Sequence, residues 1–269
     1  MIDIYRRAAN GEGQIASFYS LCKKPKAIIQ FVHDISEHCG RYFDIAELFN
    51  AEGFDFYAND IVGHGMSKQG HPGAFSVNEV SLENMLEDIG TLFDYSKEKS
   101  GEIPHILVGV GFGAALSAMY TAKYKDTDLL LLLSPIQKMR GKKIAKIMSS
   151  GEVWLTSDEL YNKKYANDVN CGFNLNKDSY KEVKRACDHL VNKKSVSLIP
   201  DIPVCLIAGK KDPLGNYGNT AIDISSAFSY TNHSHVSLKL YDGYHDLLHD
   251  DTKDEVMQDI TKWIAGTIE

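Results

Sequence analysis

Short, mostly apolar runs alternate along this chain with longer stretches of helical periodicity, and that alternation restricts the possible folds more than any single motif does. Ala27 to His33, Phe54 to Asp60, His105 to Val110, Leu129 to Leu133 and Pro203 to Ala208 have the length and content of strands covered on both faces. Gln14 to Ser20 and Val236 to Tyr241 bring the expected strands to seven. Between them, Leu82, Met85, Ile89, Leu92 and Phe93 recur at helical spacing, as do Val256, Ile260, Trp263 and Ile264. Strands that alternate with helices are joined by crossover connections, so an α/β fold is expected, with a mostly parallel central sheet and helices on both faces.

From about Ile136 to Ile199 the alternation stops and the sequence becomes polar and helix-like, which reads as a helical insertion over the sheet. The expected division is therefore a core in two parts, residues 1–135 and 200–269, interrupted by a helical unit at 136–199. The insertion holds 13 Lys and Arg against 7 Asp and Glu, a balance of +6, while the net charge of the whole is −7 and the remainder stands at −13. Insertion and body should attract each other. An acidic body is a poor match for nucleic acid, whose binding needs a basic face to displace counterions from phosphates. The one dense basic block, Lys138, Arg140, Lys142, Lys143 and Lys146, fits either a solvated helix face or a peripheral contact with an anionic membrane surface.

The N-terminal residues lack the basic head and apolar stretch of a signal peptide, so a cytoplasmic location is expected. The longest uncharged stretch, Ile106 to Ala122, is shorter than a membrane-spanning helix requires. Five cysteines without CxxC spacing suggest neither a disulfide framework nor a zinc knuckle; they read as reduced and mostly buried, and no cofactor or metal is expected.

The chemistry lies in segments that end predicted strands, the edge at which open α/β sheets bind ligands. Gly109-Val110-Gly111-Phe112-Gly113 joins an apolar strand to an Ala-rich helix, the setting of the G-x-S-x-G nucleophile elbow, although its middle residue is glycine. No lysine follows, so it is a poor phosphate loop. Downstream, Asp212 closes one strand and His245 follows another, giving the order elbow, acid, histidine. In such an arrangement Asp212 would fix the tautomer of His245, leaving the other ring nitrogen to act as general base.

These segments resemble the α/β-hydrolase serine hydrolases of the monoacylglycerol lipase and lysophospholipase type (serine aminopeptidase S33-like). Phe31-Val32-His33 with Glu37-His38-Cys39-Gly40-Arg41-Tyr42 looks like V-H-G-x-x-E-H-S-x-R-Y, and Asp60 with Gly63-His64-Gly65-Met66-Ser67 looks like D-x-R-G-H-G-x-S. Asp212-Pro213, Gly243-Tyr244-His245-Asp246 and Asn170-Cys171-Gly172-Phe173 are similar to further family segments. The resemblance implies an α/β-hydrolase fold with a helical cap at the insertion. It also implies an oxyanion hole from the Ile35 and Phe112 amides, a pocket bordered by His33 and Asp34, and an acyl ester or fatty-acid-like ligand.

The departures from the pattern are equally specific. Asp34 replaces the glycine of H-G, Val62 an arginine, Val110 the usual histidine, and Gly111 the nucleophilic serine. Loss of the nucleophile costs a serine protease on the order of a millionfold in turnover, so ester hydrolysis as written should be negligible. Glycine at the elbow relieves backbone strain. It should also leave room beside His245 for a water, and Gly111→Ser should restore hydrolysis if the glycine was introduced into an active enzyme. Two functions remain open: a carboxylic ester hydrolase lacking its nucleophile, or a non-catalytic protein that binds acyl ligands or a protein partner.

Overall fold

The computed structural model describes residues 2–67, 72–73, 82–136 and 141–268. One sheet of eight strands runs through it: β1 (Ile2–Arg7), β2 (Gln14–Ser20), β3 (Ala27–Val32), β4 (Phe54–Asn59), β5 (His105–Val110), β6 (Leu129–Leu133), β7 (Val204–Gly209) and β8 (Val236–Tyr241). The spatial order is β1-β2-β4-β3-β5-β6-β7-β8, with β2 antiparallel to both β1 and β4 and all later pairs parallel. Strands β3 to β7 are buried at every position, which is why their sequences lack a period-two pattern. β1 was not among the expected strands. It is an edge strand, exposed or half-exposed throughout, and its Ile-Asp-Ile-Tyr-Arg-Arg sequence offers no buried face to betray it.

Helices α1 (Phe43–Ala51) and α9 (Lys253–Ile268) cover one face, and α2 (Leu82–Ser100), α3 (Phe112–Tyr124) and α8 (Asn219–Tyr230) the other, each face enclosing an apolar cluster. Among the described residues between β6 and β7, the regular elements are all helices: α4 (Gly141–Met148), α5 (Glu159–Asn167), α6 (Lys177–Val191) and the single turn α7 (Lys193–Val196). The side chains of Asp158, Asn176 and Asn192 cap α5, α6 and α7, each accepting backbone N–H groups that would otherwise be unpaired. α6 places Val183, Ala186, Cys187 and Leu190 in the same cluster as Ala115 and Leu116 of α3. The insertion is thus joined to the body through shared core. Lys142, Lys143 and Lys146 of the basic block sit on α4, while Lys138 and Arg140 lie outside the described residues. No described helix is long and apolar enough to cross a membrane. Cys39, Cys171, Cys187 and Cys205 are buried and Cys22 half-buried.

Candidate active site

Four side-chain positions converge from the C-terminal ends of four strands: Asp34 after β3, Gly111 after β5, Asp212 after β7 and His245 after β8. Strands β3 and β5 are direct neighbours, with Val32 opposite Gly109, and this register sets the Asp34 turn beside the elbow. Gly111 adopts φ 55 and ψ −113, a left-handed conformation that disfavours any residue with a side chain. Its N–H is held by the Leu133 carbonyl at 2.9 Å. Two residues later the chain presses on β3, because a Cβ on Gly113 would strike the Val32 and His33 carbonyls.

Asp212 and His245 meet as the sequence suggests. His245 Nδ1 lies 2.8 Å from Asp212 Oδ2, and the Asp212 Oδ1 accepts the Leu214 N–H at 2.8 Å. The other ring nitrogen does not face an open site. Nε2 lies 2.8 Å from Asp34 Oδ2, so the imidazole is held between two carboxylates, with the Asp34 side chain 6% exposed and that of His245 2%. Burial alone would lower the His245 pKa, but Asp212 and then Asp34 overcome it and push it up to about 10. At neutral pH the ring carries its proton and the arrangement is Asp, imidazolium, Asp.

Asp34 does more than pair with the histidine. Its Oδ1 accepts the Phe112 N–H at 2.5 Å, the amide expected to face an oxyanion. A Cβ built on Gly111 would coincide with the Asp34 carboxylate, clashing with Cγ and both oxygens. The expected space for a water beside His245 is therefore absent: the carboxylate fills it. A Gly111→Ser side chain would meet this carboxylate and could be seated only if Asp34 swung away from His245 and the Phe112 amide. The Asp34 carboxylate stands where a side chain at position 111 would be.

The other expected residues hold this arrangement in place. His33 is fully buried with Nδ1 2.6 Å from the Asp34 carbonyl and Nε2 accepting the Ile61 N–H at 2.9 Å. Burial keeps its pKa well below the ordinary histidine value, so it acts as a neutral brace and not as a pocket wall. Ile35 is buried within the same turn, and Ser36 follows at φ 57 with its hydroxyl donating to the Phe173 carbonyl at 2.6 Å. The Gly63-His64-Gly65 segment is a turn organised by Asp60, whose oxygens accept the Cys39 and Met66 N–H groups at 2.8 and 2.6 Å.

Three contributors have no role assigned to them by the sequence. Glu37 accepts the Asp34 N–H at 2.7 Å and the Tyr42 hydroxyl at 2.8 Å, and it pairs with Arg41. Arg41 also reaches Asp246 at 2.5 Å, so the residue after the histidine is anchored to the loop that carries Asp34. Trp154 of the insertion lies with its ring 5.8 Å from that of His245, and its carbonyl accepts the His245 N–H at 3.2 Å. The spacing from Glu37 to Arg41 within a quoted motif was the available signal for the first two. Of the metal-ligating side chains, His38, Asp168 and Cys171 gather apart from this site and include none of its residues.

A family model described as serine aminopeptidase, S33 matches residues 23–252. A monoacylglycerol lipase of Mycolicibacterium smegmatis is 24% identical over 260 residues, covering 90% of this chain and 89% of that protein. An uncharacterized abhydrolase domain-containing protein of Dictyostelium discoideum is 26% identical over 91% of this chain, which spans only 27% of its length. Among solved structures, a thermostable carboxyl esterase from Bacillus coagulans superposes with a TM-score of 0.86 at 24% identity, covering 100% of this chain and 99% of that one. The sheet order, the elbow conformation and the family match over most of the length agree: this chain belongs to the serine aminopeptidase S33 family and has the α/β-hydrolase fold.

Proposed function

We propose that this chain is a non-catalytic member of its family, in which the Asp34 carboxylate occupies the place of the nucleophile and closes the ester-hydrolysing site. The observation that carries the reading is the double seat of Asp34, on His245 Nε2 at 2.8 Å and on the Phe112 amide at 2.5 Å. Acyl transfer needs a nucleophile at position 111, a neutral His245 to take its proton, and vacant amides for the developing oxyanion. Gly111 provides no nucleophile, the two carboxylates keep His245 protonated, and Asp34 covers the Phe112 donor. Asp212 remains the orienting acid of a triad with nothing to activate. In this reading residues 1–135 and 200–269 form the core and 136–199 the cap.

Ligand binding then belongs to the cap. A cavity of about 720 Å³ with a mostly apolar wall that includes Ala145, Leu175 and Tyr180 is rimmed by Lys142, Lys177, Lys181 and Lys184. Apolar walls with convergent cations suit an acyl chain with an acidic head.

Hydrolysis of a short-chain aryl ester and of a monoacylglycerol tests the catalytic half. The wild type and Gly111→Ser should both stay at background, and Asp34→Gly with Gly111→Ser should gain activity that a further His245→Ala removes. Hydrolysis by the wild type that depends on His245 would overturn the proposal. A medium-chain fatty acid should raise the unfolding temperature of the wild type; no shift with any acyl ligand would move the chain to the protein-interaction class.

A further inference from the structure

We propose that His38, Asp168 and Cys171 form a binding site for a zinc-like divalent cation that ties the loop after β3 to the helical insertion. Their ligand atoms all lie within 4.8 Å of one another, and His38 Nε2 is already 2.9 Å from Asp168 Oδ2. Zinc bonds of about 2.0 to 2.3 Å place tetrahedral ligands roughly 3.5 Å apart, so shifts of about an ångström gather the three around one ion. Imidazole, thiolate and carboxylate form a borderline donor set that suits zinc better than magnesium or calcium. Cys171 enters as the thiolate, its proton leaving to solvent as the sulfur–metal bond forms, and with the Asp168 carboxylate it balances the charge of the ion.

The ligands are held in place without the ion. Asp168 Oδ1 accepts the Asn170 N–H at 2.8 Å and the Asp168 carbonyl accepts the Cys171 N–H at 3.0 Å, so one tight turn presents both insertion ligands. The other oxygen of that carboxylate, Oδ2, is the one paired with His38. Gly40 makes room for the imidazole, since a Cβ there would stand 2.9 Å from His38 Nδ1. The two segments are clamped independently: the Ser36 carbonyl accepts the Gly172 N–H at 2.9 Å and the Tyr165 hydroxyl at 3.0 Å. Outer-shell bonds of this kind orient metal ligands.

All three residues line a cavity of about 360 Å³, together with Lys164, Tyr165 and others, which leaves a fourth coordination position facing open space. Arg41 lies on the same wall and is paired with Glu37 and Asp246, which leaves Lys164 as the cation that the bound ion would face across the cavity. The site was invisible in the sequence because its first ligand stands 130 residues from the second, far outside any short metal-binding spacing.

Phosphine-reduced, metal-free protein titrated with Co²⁺ and followed by absorption decides the matter. The expected result is one equivalent bound, with a thiolate-to-cobalt charge-transfer band that Zn²⁺ bleaches, and a higher unfolding temperature in Zn²⁺. Cys171→Ser should abolish the band, His38→Ala should weaken Co²⁺ binding at least tenfold, and Cys22→Ser should leave both unchanged. If Cys171→Ser fails to fold, His38→Ala, on the loop, decides. Absence of the band, its survival with unaltered affinity in His38→Ala, or its loss in Cys22→Ser would overturn the proposal and leave the trio a hydrogen-bonded clamp.

Discussion

Asp34 and His245 form an ion pair almost without solvent, and its strength is readable as pH dependence. The folded histidine titrates near 10 and an unfolded one near 6.5. A raised pKa stabilises the fold fully below about pH 6.5, and that contribution is lost as pH rises through 10. Asp34→Asn removes one of the two carboxylates and should destabilise the protein by on the order of 3 kcal/mol at pH 6.5, as breaking a buried pair does. The deficit should shrink toward pH 10. Urea denaturation of both proteins across this range measures it, and a pH-independent difference would refute the pair as drawn. At this scale the sequence was informative about Asp212 and His245, whose roles follow from order and spacing. It was misleading about Asp34, because a motif places residues along the chain and says nothing about which side chain fills a neighbour's vacated volume. The clue was that a carboxylate gained and a hydroxymethyl lost occur in two segments that meet.

The buried strands and the long helices were legible because their burial writes itself as runs or stripes of apolar residues. β1 was not, for an exposed edge strand has no such record. The insertion was legible as helical and set apart by its charge, but the sequence did not show how its packing joins it to the body. Val183, Ala186, Cys187 and Leu190 lie at i, i+3, i+4 and i+7 on α6, and this stripe, joined by Val196 of α7, shares a core with Ala115 and Leu116. Replacing residues 141–196 with a short linker would expose that face of α3, a contiguous apolar patch of the kind that drives association. The truncated chain is expected to be recovered as aggregate or to lose cooperative unfolding. A soluble, cooperatively unfolding product would show the unit to be dispensable.

Across the whole molecule, the framework of the family is kept, while Gly111 stands at the elbow and Asp34 lies against both His245 and the Phe112 amide. The sheet order, the left-handed elbow, the acid and the histidine are all present, and a family match over residues 23–252 reflects that retention. Sequence similarity is therefore a record of architecture here. The interlock between positions 34 and 111 also bears on any change toward hydrolysis. A serine at 111 meets the carboxylate of Asp34 where it now stands, and a glycine at 34 leaves His245 beside an elbow without a side chain, so on the proposed function neither single change is expected to give hydrolysis. On the proposed function the two positions are coupled, and hydrolysis would be gained only by a chain in which both change together.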